Sequence, residues 1–339
     1  MSRKAWVGAA KLISGTFNAV TNGLTASMPA AAAADKNVDM LIGGQAVIEG
    51  VMMRSLTGYS VAVRQPNGDM AIKKDKLVSI GTKYPFLKIP VLRGSVVLIQ
   101  SLILGMRALN YSATVATDEG KGEQEMSSWA VAGTMIITLL LGVGVFILAP
   151  LGITNLIRHY FAPQMGNIAY NAIDGVLRAI FFFVYILSIS FMDEIKRVFQ
   201  YHGAEHKTVY TFEANEDLTI ENARKKSTLH PRCGTSFLMF VMAISILVFS
   251  LVPSTVPFAV KFAARVVLIP LIAGLAYEVI RFSARHLGNP VCRMMTRPGM
   301  WLQKITTKEP DDMQLAVAIT ALKEALMYDI VDETQAAVA

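Results

Sequence analysis

Four long runs of apolar residues constrain the fold of this chain more than any other feature. A helix of roughly 20 residues crosses the hydrocarbon core of a bilayer, and the first run, WAVAGTMIITLLLGVGVFILAPLGI, contains no charged residue. In lipid a helix satisfies its own backbone hydrogen bonds. The sequence therefore predicts a mainly α-helical polytopic membrane protein with about four transmembrane helices. They cover residues 129–153, 172–192, 235–253 and 259–280.

The composition supports a membrane protein. The chain is 53% hydrophobic and 17% charged, whereas soluble domains carry about 25% charged residues. The net charge of +7 does not indicate nucleic-acid binding, because no binding fold or aromatic–basic motif accompanies it. Basic residues beside membrane spans instead meet anionic headgroups. The partner that these features predict is the lipid bilayer.

The distribution of Lys and Arg predicts the orientation. The connection 154–171 holds one arginine, and 254–258 holds no basic residue, whereas 193–234 holds seven and the tail from 281 adds more. Cytoplasmic loops carry the excess of basic residues. We expect a multi-pass protein of the cell membrane with both termini and the large middle loop in the cytoplasm.

Three segments precede the first span. Residues 1–38 are rich in Ala, Ser, Thr and Asn, and we expect a poorly ordered tail. Residues 39–84 predict a small cytoplasmic β-hairpin unit, because alternating residues flank Asn67-Gly68, a strong hairpin signal. The apolar part of 85–128 is interrupted by charges and proline. This segment predicts an interfacial or re-entrant helix followed by a polar linker.

The remaining chain divides into a membrane domain and a tail. The four spans and their cytoplasmic loop 193–234 form the expected membrane domain 129–280. Residues 281–339 form a cytoplasmic carboxy-terminal segment, and its apolar periodicity predicts an amphipathic helix over 310–335.

The stretch HGAEH contains the first candidate metal ligands. On a helix, His202 and His206 lie one turn apart on one face and could bind one Zn²⁺ or another divalent metal. This His-x-x-Glu-His order occurs in inverzincin metalloproteases. Glu205 would be the catalytic general base that deprotonates a metal-bound water. Gly203 is an unfavourable residue inside such a helix, so a turn centred on it is the alternative.

The stretch LHPRCGTS provides a second pair of candidate ligands, His230 and Cys233. His-Pro-x-Cys-Gly resembles a zinc-knuckle turn with His in place of the first Cys. Cytoplasmic thiols stay reduced and act as ligands, nucleophiles or packing residues. Four of the seven His and Cys residues of the chain fall within 32 positions. This concentration favours a metal site, with metal-free packing or hydrogen bonding as the alternative.

The number of ligands distinguishes two roles for the metal. If His202, His206, His230 and Cys233 all bind, the tetrahedron is closed and the zinc is structural; a catalytic site keeps one position for water. Three further residues are weaker candidates for this site. Glu278 could add a carboxylate ligand, Cys292 could complete the site or act as a nucleophile, and Glu49 lies in a Gly-flanked loop.

Four motifs resemble the YqhQ-like family of bacterial integral membrane proteins of unknown function. They are GGQAVIEGVMMR, FQYHGAEHKTVYTFE, HPRCGTSF and PGMWLQKITTKEPDDMQLAVAI, in family order between Gly43 and about Ala325. Members are sometimes labelled predicted metal-dependent enzymes. The resemblance implies a membrane protein with a motif that contains His202, Glu205, His206, His230 and Cys233, and it implies no reaction.

Two functions follow as hypotheses. The first is a zinc-dependent hydrolase whose substrate is a lipid or a membrane-associated polypeptide, because such molecules reach a site at the membrane surface. The second is a non-catalytic membrane scaffold or assembly factor with a structural metal or none. A transporter has less support, because the first and third spans lack the polar interruptions typical of transporters. The sequence specifies neither a protein partner nor an oligomeric state.

Overall fold

The computed structural model describes residues 42–77, 84–116, 128–286 and 289–338. These residues are mostly helical, with one small antiparallel sheet. The tail predicted at 1–38 lies outside the described residues, as does most of the polar linker before the first span.

The predicted hairpin unit is a four-stranded antiparallel meander with strand order β1-β2-β3-β4. Gly68 has a φ of +93°, and it lies with Asn67 in the turn between β3 and β4, where the sequence predicted a hairpin. The first turn is tight, since Val47 pairs with Gly50. The strands are β1 (Gly43–Val47), β2 (Gly50–Arg54), β3 (Gly58–Arg64) and β4 (Met70–Lys76).

Alternate residues of the sheet face two different helical layers. One face packs Val51, Met53 and Ala62 against helices α5 (Asp193–Glu213) and α11 (Asp312–Val338). The opposite face packs against helix α1 (Leu92–Ala116). Because successive side chains of a strand point to opposite faces, both faces of the central strands are buried. The sheet is therefore a layer between helices, and α5 is held against it.

Apolar helices form most of the remaining structure. Helix α2 (Ser128–Val143), one π-helical turn at Gly144–Leu148 and α3 (Ala149–Tyr160) are continuous, and α4 (Asn167–Ile189) follows. Helix α7 (Gly234–Ser250) is an apolar helix of 17 residues. The pair α8 (Phe258–Val267) and α9 (Ile269–Arg285) is bent by 44° at its break.

Among the described residues, three helices are long and apolar enough to cross a membrane, or four if the bent pair forms one span. They include Ile136–Tyr160, Asn167–Ile189 and also Leu92–Ala116, part of the segment for which we expected an interfacial or re-entrant helix. One of its two arginines is neutralised within the fold, because Arg93 forms an ion pair with Glu278. The second half of α1 covers the sheet through Leu104 and Ala108.

Helix α10 (Pro290–Thr306) and α11 complete the carboxy-terminal segment. Between them, the backbone N–H of Lys308 donates to the carbonyl of Phe199 on α5. Asp311 and Gln314 then exchange side-chain-to-backbone hydrogen bonds of 2.8 and 2.9 Å, which is the capping-box arrangement that begins a helix. The short helix α6 (Ile220–Arg224) follows α5 and precedes α7 along the chain.

Candidate metal centre

Helix α5 presents His202 and His206 on one face, with their ring centroids 4.5 Å apart. The backbone at Gly203 is helical, so the alternative of a turn at this position does not occur. A Cβ at Gly203 would collide with the carbonyl of Lys308. The glycine therefore lets the segment between α10 and α11 approach the helix that carries both histidines.

Backbone carbonyls fix the same tautomer for both histidines. The Nδ1 atom of His202 lies 2.8 Å from the carbonyl oxygen of Thr306, and Nδ1 of His206 lies 2.5 Å from that of Thr228. Since a carbonyl only accepts, each Nδ1 carries the hydrogen and donates. Each Nε2 then keeps its lone pair, and this support of the distal nitrogen is typical of metal-binding histidines.

Cys233 brings a sulfur atom to these two rings. Its Sγ lies 3.2 Å from Nε2 of His202 and accepts from the backbone N–H and the hydroxyl of Thr235 at 3.5 and 3.3 Å. Cys233 is the residue that caps the amino-terminus of α7. The positive end of a helix dipole favours negative charge, so this position suits a thiolate.

The ligand atoms of His202, His206 and Cys233 lie within 4.8 Å of one another. Tetrahedral zinc with Zn–N of about 2.0–2.1 Å and Zn–S of about 2.3 Å separates its ligand atoms by about 3.3–3.6 Å. Nε2 of His202 and Sγ of Cys233 are 3.2 Å apart and the whole group lies within 4.8 Å, so small side-chain rotations would reach these separations. Nε2 of His206 is buried without a hydrogen-bond partner among the described residues. The residues therefore fit a divalent metal.

Glu205 lies beside this group and is almost fully buried. Its Oε1 accepts a 2.9 Å hydrogen bond from the backbone N–H of Gly44 in β1. Its Oε2 lies 3.5 Å from Nε2 of His206. One carboxylate oxygen is thus anchored by the sheet, while the other faces the group of three ligands.

His230 lies near the other histidines but uses its nitrogens elsewhere. Its ring centroid is 5.7 Å from that of His206. Its Nε2 lies 3.2 Å from Oε2 of Glu213, and its Nδ1 accepts from the backbone N–H of Arg232 at 3.3 Å. The structure therefore brings three of the four expected ligands together and leaves His230 beside them.

The carboxylate of Glu213 is stabilised in its charged form. Burial alone would raise its pKa, but hydrogen bonds and electrostatic interactions with His230 and Arg232 outweigh burial, so the pKa of Glu213 lies below its usual value. The ion pair with Arg232 is 2.6 Å long. Glu213, His230 and Arg232 form a polar network behind the candidate metal centre.

Gln303 of α10 holds the backbone of His230 in place. Its side chain accepts from the backbone N–H of His230 at 2.7 Å and donates to the carbonyl of the same residue at 2.8 Å. Gln303 is fully buried. This two-point contact fixes the turn that leads into Cys233.

The three weaker candidates lie outside the group. Glu49 forms an ion pair with Arg197, about one turn before His202, and accepts a 3.4 Å hydrogen bond from Tyr201. Burial and the nearby Glu49 carboxylate raise the pKa of Tyr201. Glu278 accepts from Nε of Arg93 at 2.6 Å. Cys292 is buried in α10.

The sequence patterns did not indicate Glu213 or Gln303 as part of the site. Glu213 follows His206 by seven residues, which is two helical turns, so helical spacing alone placed it on the same face. Gln303 gave no comparable signal, because its partner is a backbone group 73 residues away.

Comparisons with known proteins agree with the resemblance of the motifs. The sequence profile of a family described as "Protein of unknown function (DUF1385)" matches residues 89–328. The chain is also similar to the uncharacterized protein YqhQ of Bacillus subtilis (strain 168), with 35% identity over 307 residues that cover 86% of this chain and 94% of that protein. No solved structure matches at a significant level. The profile spans the candidate metal centre and leaves the sheet outside.

Proposed function

The chain belongs to this family of proteins of unknown function, and we propose that it is a membrane hydrolase that depends on zinc or another divalent metal. The metal would be held by His202, His206 and Cys233. The observation that carries this proposal is the group of three converging ligand atoms with a carboxylate beside it.

The number of ligands supports catalysis over a purely structural metal. Structural zinc sites have four protein ligands, whereas catalytic sites have three and an open position. His230 hydrogen-bonds to Glu213 through Nε2, and this contact competes with a role as fourth ligand. The fourth position would therefore be available for water.

Glu205 would act as the general base. A divalent metal at this centre would supply a Lewis acid that lowers the pKa of a bound water to about 7. Oε1 of Glu205 is occupied by the N–H of Gly44, while Oε2 faces the ligands. The sheet would thus hold the carboxylate in position to accept a proton from the water and return it to a leaving group.

The position of Cys233 suggests the class of substrate. This residue begins α7, an apolar helix, so the centre would lie where that helix meets the cytoplasmic surface of the cell membrane. Lipids and membrane-associated polypeptides reach this depth. The basic connection between α4 and α7 supports a cytoplasmic orientation of the centre and of both termini.

A membrane scaffold is the second candidate, and one observation favours it. The hydrogen bond from Gly44 to Glu205 joins β1 to α5, so Glu205 could serve only to attach the sheet. The His202–Cys233 contact could likewise be a hydrogen bond without a metal. In this case the centre would connect α5, α7 and α10 mechanically.

The substitution Glu205→Gln separates the two candidates. The amide preserves an acceptor for Gly44 but cannot take a proton. Membranes from cells that express the wild-type chain, Glu205→Gln or the exposed control Glu221→Gln would be compared by lipidomics and by mass spectrometry of new peptide termini. If the protein is a hydrolase, its products appear with the wild-type chain and with Glu221→Gln and are lost with Glu205→Gln. Identical profiles for all three chains would contradict it, provided that metal content is unchanged.

A further inference from the structure

A polar pocket of about 390 Å³ lies at the opposite ends of α4 and α7 from the candidate metal centre. Its lining comes from the end of α3 and from the segment that leads into α8, and it includes Asn155, Arg158, Ser254 and Lys261. Ligand pockets typically measure about 300–1,000 Å³. The 23 residues of α4 span about 33 Å, so the pocket is distinct from the metal centre.

Two cations of this pocket have no carboxylate partner among the described residues. Lys261 is 3% exposed, and its Nζ makes long contacts of 3.4 Å to Oδ1 of Asn155 and to the hydroxyl of Tyr170, whose ring centroid lies 4.4 Å from it. Arg158 donates to the carbonyl oxygen of Ser254. A buried ammonium with such weak partners is costly without an anion.

The nearest acid is already occupied by other cations. Asp174 forms ion pairs with Arg178 at 2.7 Å and with Arg265 at 2.9 Å. The sequence has no other acid within 136–192, and its one acid within 234–286 is Glu278, which pairs with Arg93. The apolar helices around the pocket therefore carry a surplus of positive charge.

The amino-terminus of α8 adds to the positive potential. This helix of ten residues begins at Phe258, directly at the pocket, and its Pro257 cap makes no side-chain hydrogen bond to the first turn. The first N–H groups of a helix are free to bind an anion, and the helix dipole favours negative charge there. Two cations and a helix end thus face one cavity.

Exposed aromatic residues beside the pocket support a position at the level of lipid headgroups. Tyr160, Phe161 and Phe258 are 69%, 83% and 41% exposed. Exposed tyrosines concentrate where a membrane protein meets the headgroup region. A phosphate reaching the pocket at this depth would come most directly from a lipid.

We propose that this pocket binds the phosphate of an anionic phospholipid. Lys261 and Arg158 contact the phosphate oxygens, and the amino-terminus of α8 donates backbone N–H groups to them. The acyl chains extend along the exposed apolar surfaces of the neighbouring helices. This inference is independent of the proposed hydrolase activity, because it concerns the other end of these helices.

The test measures lipid binding by the full-length protein in detergent. Native mass spectrometry and thermal unfolding would follow titration with phosphatidylglycerol, with phosphatidylcholine and with inorganic phosphate. Lys261→Met and Arg158→Gln each remove a cation of the pocket. Lys225→Gln removes an exposed charge at the metal-centre end of the molecule and is the matched control.

The proposal predicts preferential binding of phosphatidylglycerol, with an affinity that falls by about tenfold or more in each pocket variant and is unchanged in Lys225→Gln. Equal binding of both lipids, or wild-type affinity in both pocket variants, would overturn it. If inorganic phosphate alone saturates the pocket, the occupant is free phosphate and the proposal of a lipid is wrong. If Lys261→Met does not fold, Arg158→Gln and the charge-preserving Lys261→Arg decide the result.

Discussion

The Nε2 atom of His202 lies 3.2 Å from the Sγ atom of Cys233, although 31 residues separate them in the chain. The contact joins the face of α5 to the amino-terminus of α7. On the same face of α5, the Nε2 atom of His206 is buried without a hydrogen-bond partner among the residues that the structure describes. A lone pair buried in this way is costly, and a metal would satisfy it.

Replacement of Gly203 by alanine should destabilise the protein. In an ordinary helix this change stabilises by about 0.5–1 kcal/mol, but here the new Cβ collides with the carbonyl of Lys308. We expect a loss of about 1–3 kcal/mol, measured by unfolding in mixed micelles. Gly152→Ala is the control, since a Cβ at that helical position meets nothing within 4 Å. Equal effects of both substitutions would refute the close approach.

Replacement of Gln303 by leucine should weaken both the fold and the centre. The substitution leaves the N–H and the carbonyl of His230 without their buried partner, at a cost of about 2–4 kcal/mol. Because the turn into Cys233 loosens, zinc affinity should fall by about tenfold. Calorimetric zinc titration measures this, with the exposed Gln164→Leu as control. Unchanged zinc affinity would show that Gln303 does not position the centre.

The stability of the protein should depend on Glu213 in a specific pH range. Its pKa is lowered in the folded state from an ordinary value of 4.5, so the folded state favours its ionised form. This contribution is complete above pH 4.5 and is lost as the pH falls through the lower folded pKa. Wild type and Glu213→Gln should therefore differ most in melting temperature at neutral pH and converge in acid.

The control for this pH profile is Glu221→Gln, because the Glu221 side chain is 82% exposed and has only a 3.6 Å ion pair with Lys225. Its melting curve should follow that of wild type throughout. A constant difference between wild type and Glu213→Gln at every pH would argue against an electrostatic role for Glu213.

Local sequence patterns predicted much of this structure. The Asn67-Gly68 turn, the apolar helices and the pairing of His202 with His206 on one helical face depend on residues close in the chain. The helix Leu92–Ala116 was less predictable, because Arg93 is neutralised by Glu278, 185 residues away. Long-range ion pairs of this kind leave no periodic signal.

The site was predictable in its residue types and less so in its arrangement. Helical spacing brought His202, Glu205 and His206 together, and the HPRC turn indicated Cys233. The separation of His230 from the other candidate ligands depends on Glu213 and on the buried Gln303. Likewise, the requirement for a glycine at position 203 depends on the carbonyl of Lys308, which is distant in the chain.

The most direct test of the metal centre is the zinc content of the purified protein in detergent, measured by inductively coupled plasma mass spectrometry. Wild type would be compared with His206→Ala and with His286→Ala, whose exposed ring contacts the carbonyl of Phe282 one helical turn earlier. We expect about one zinc or other divalent metal per chain in wild type and His286→Ala, and its loss in His206→Ala. Metal-free wild-type protein prepared without chelators, or equal metal in all three proteins, would contradict it.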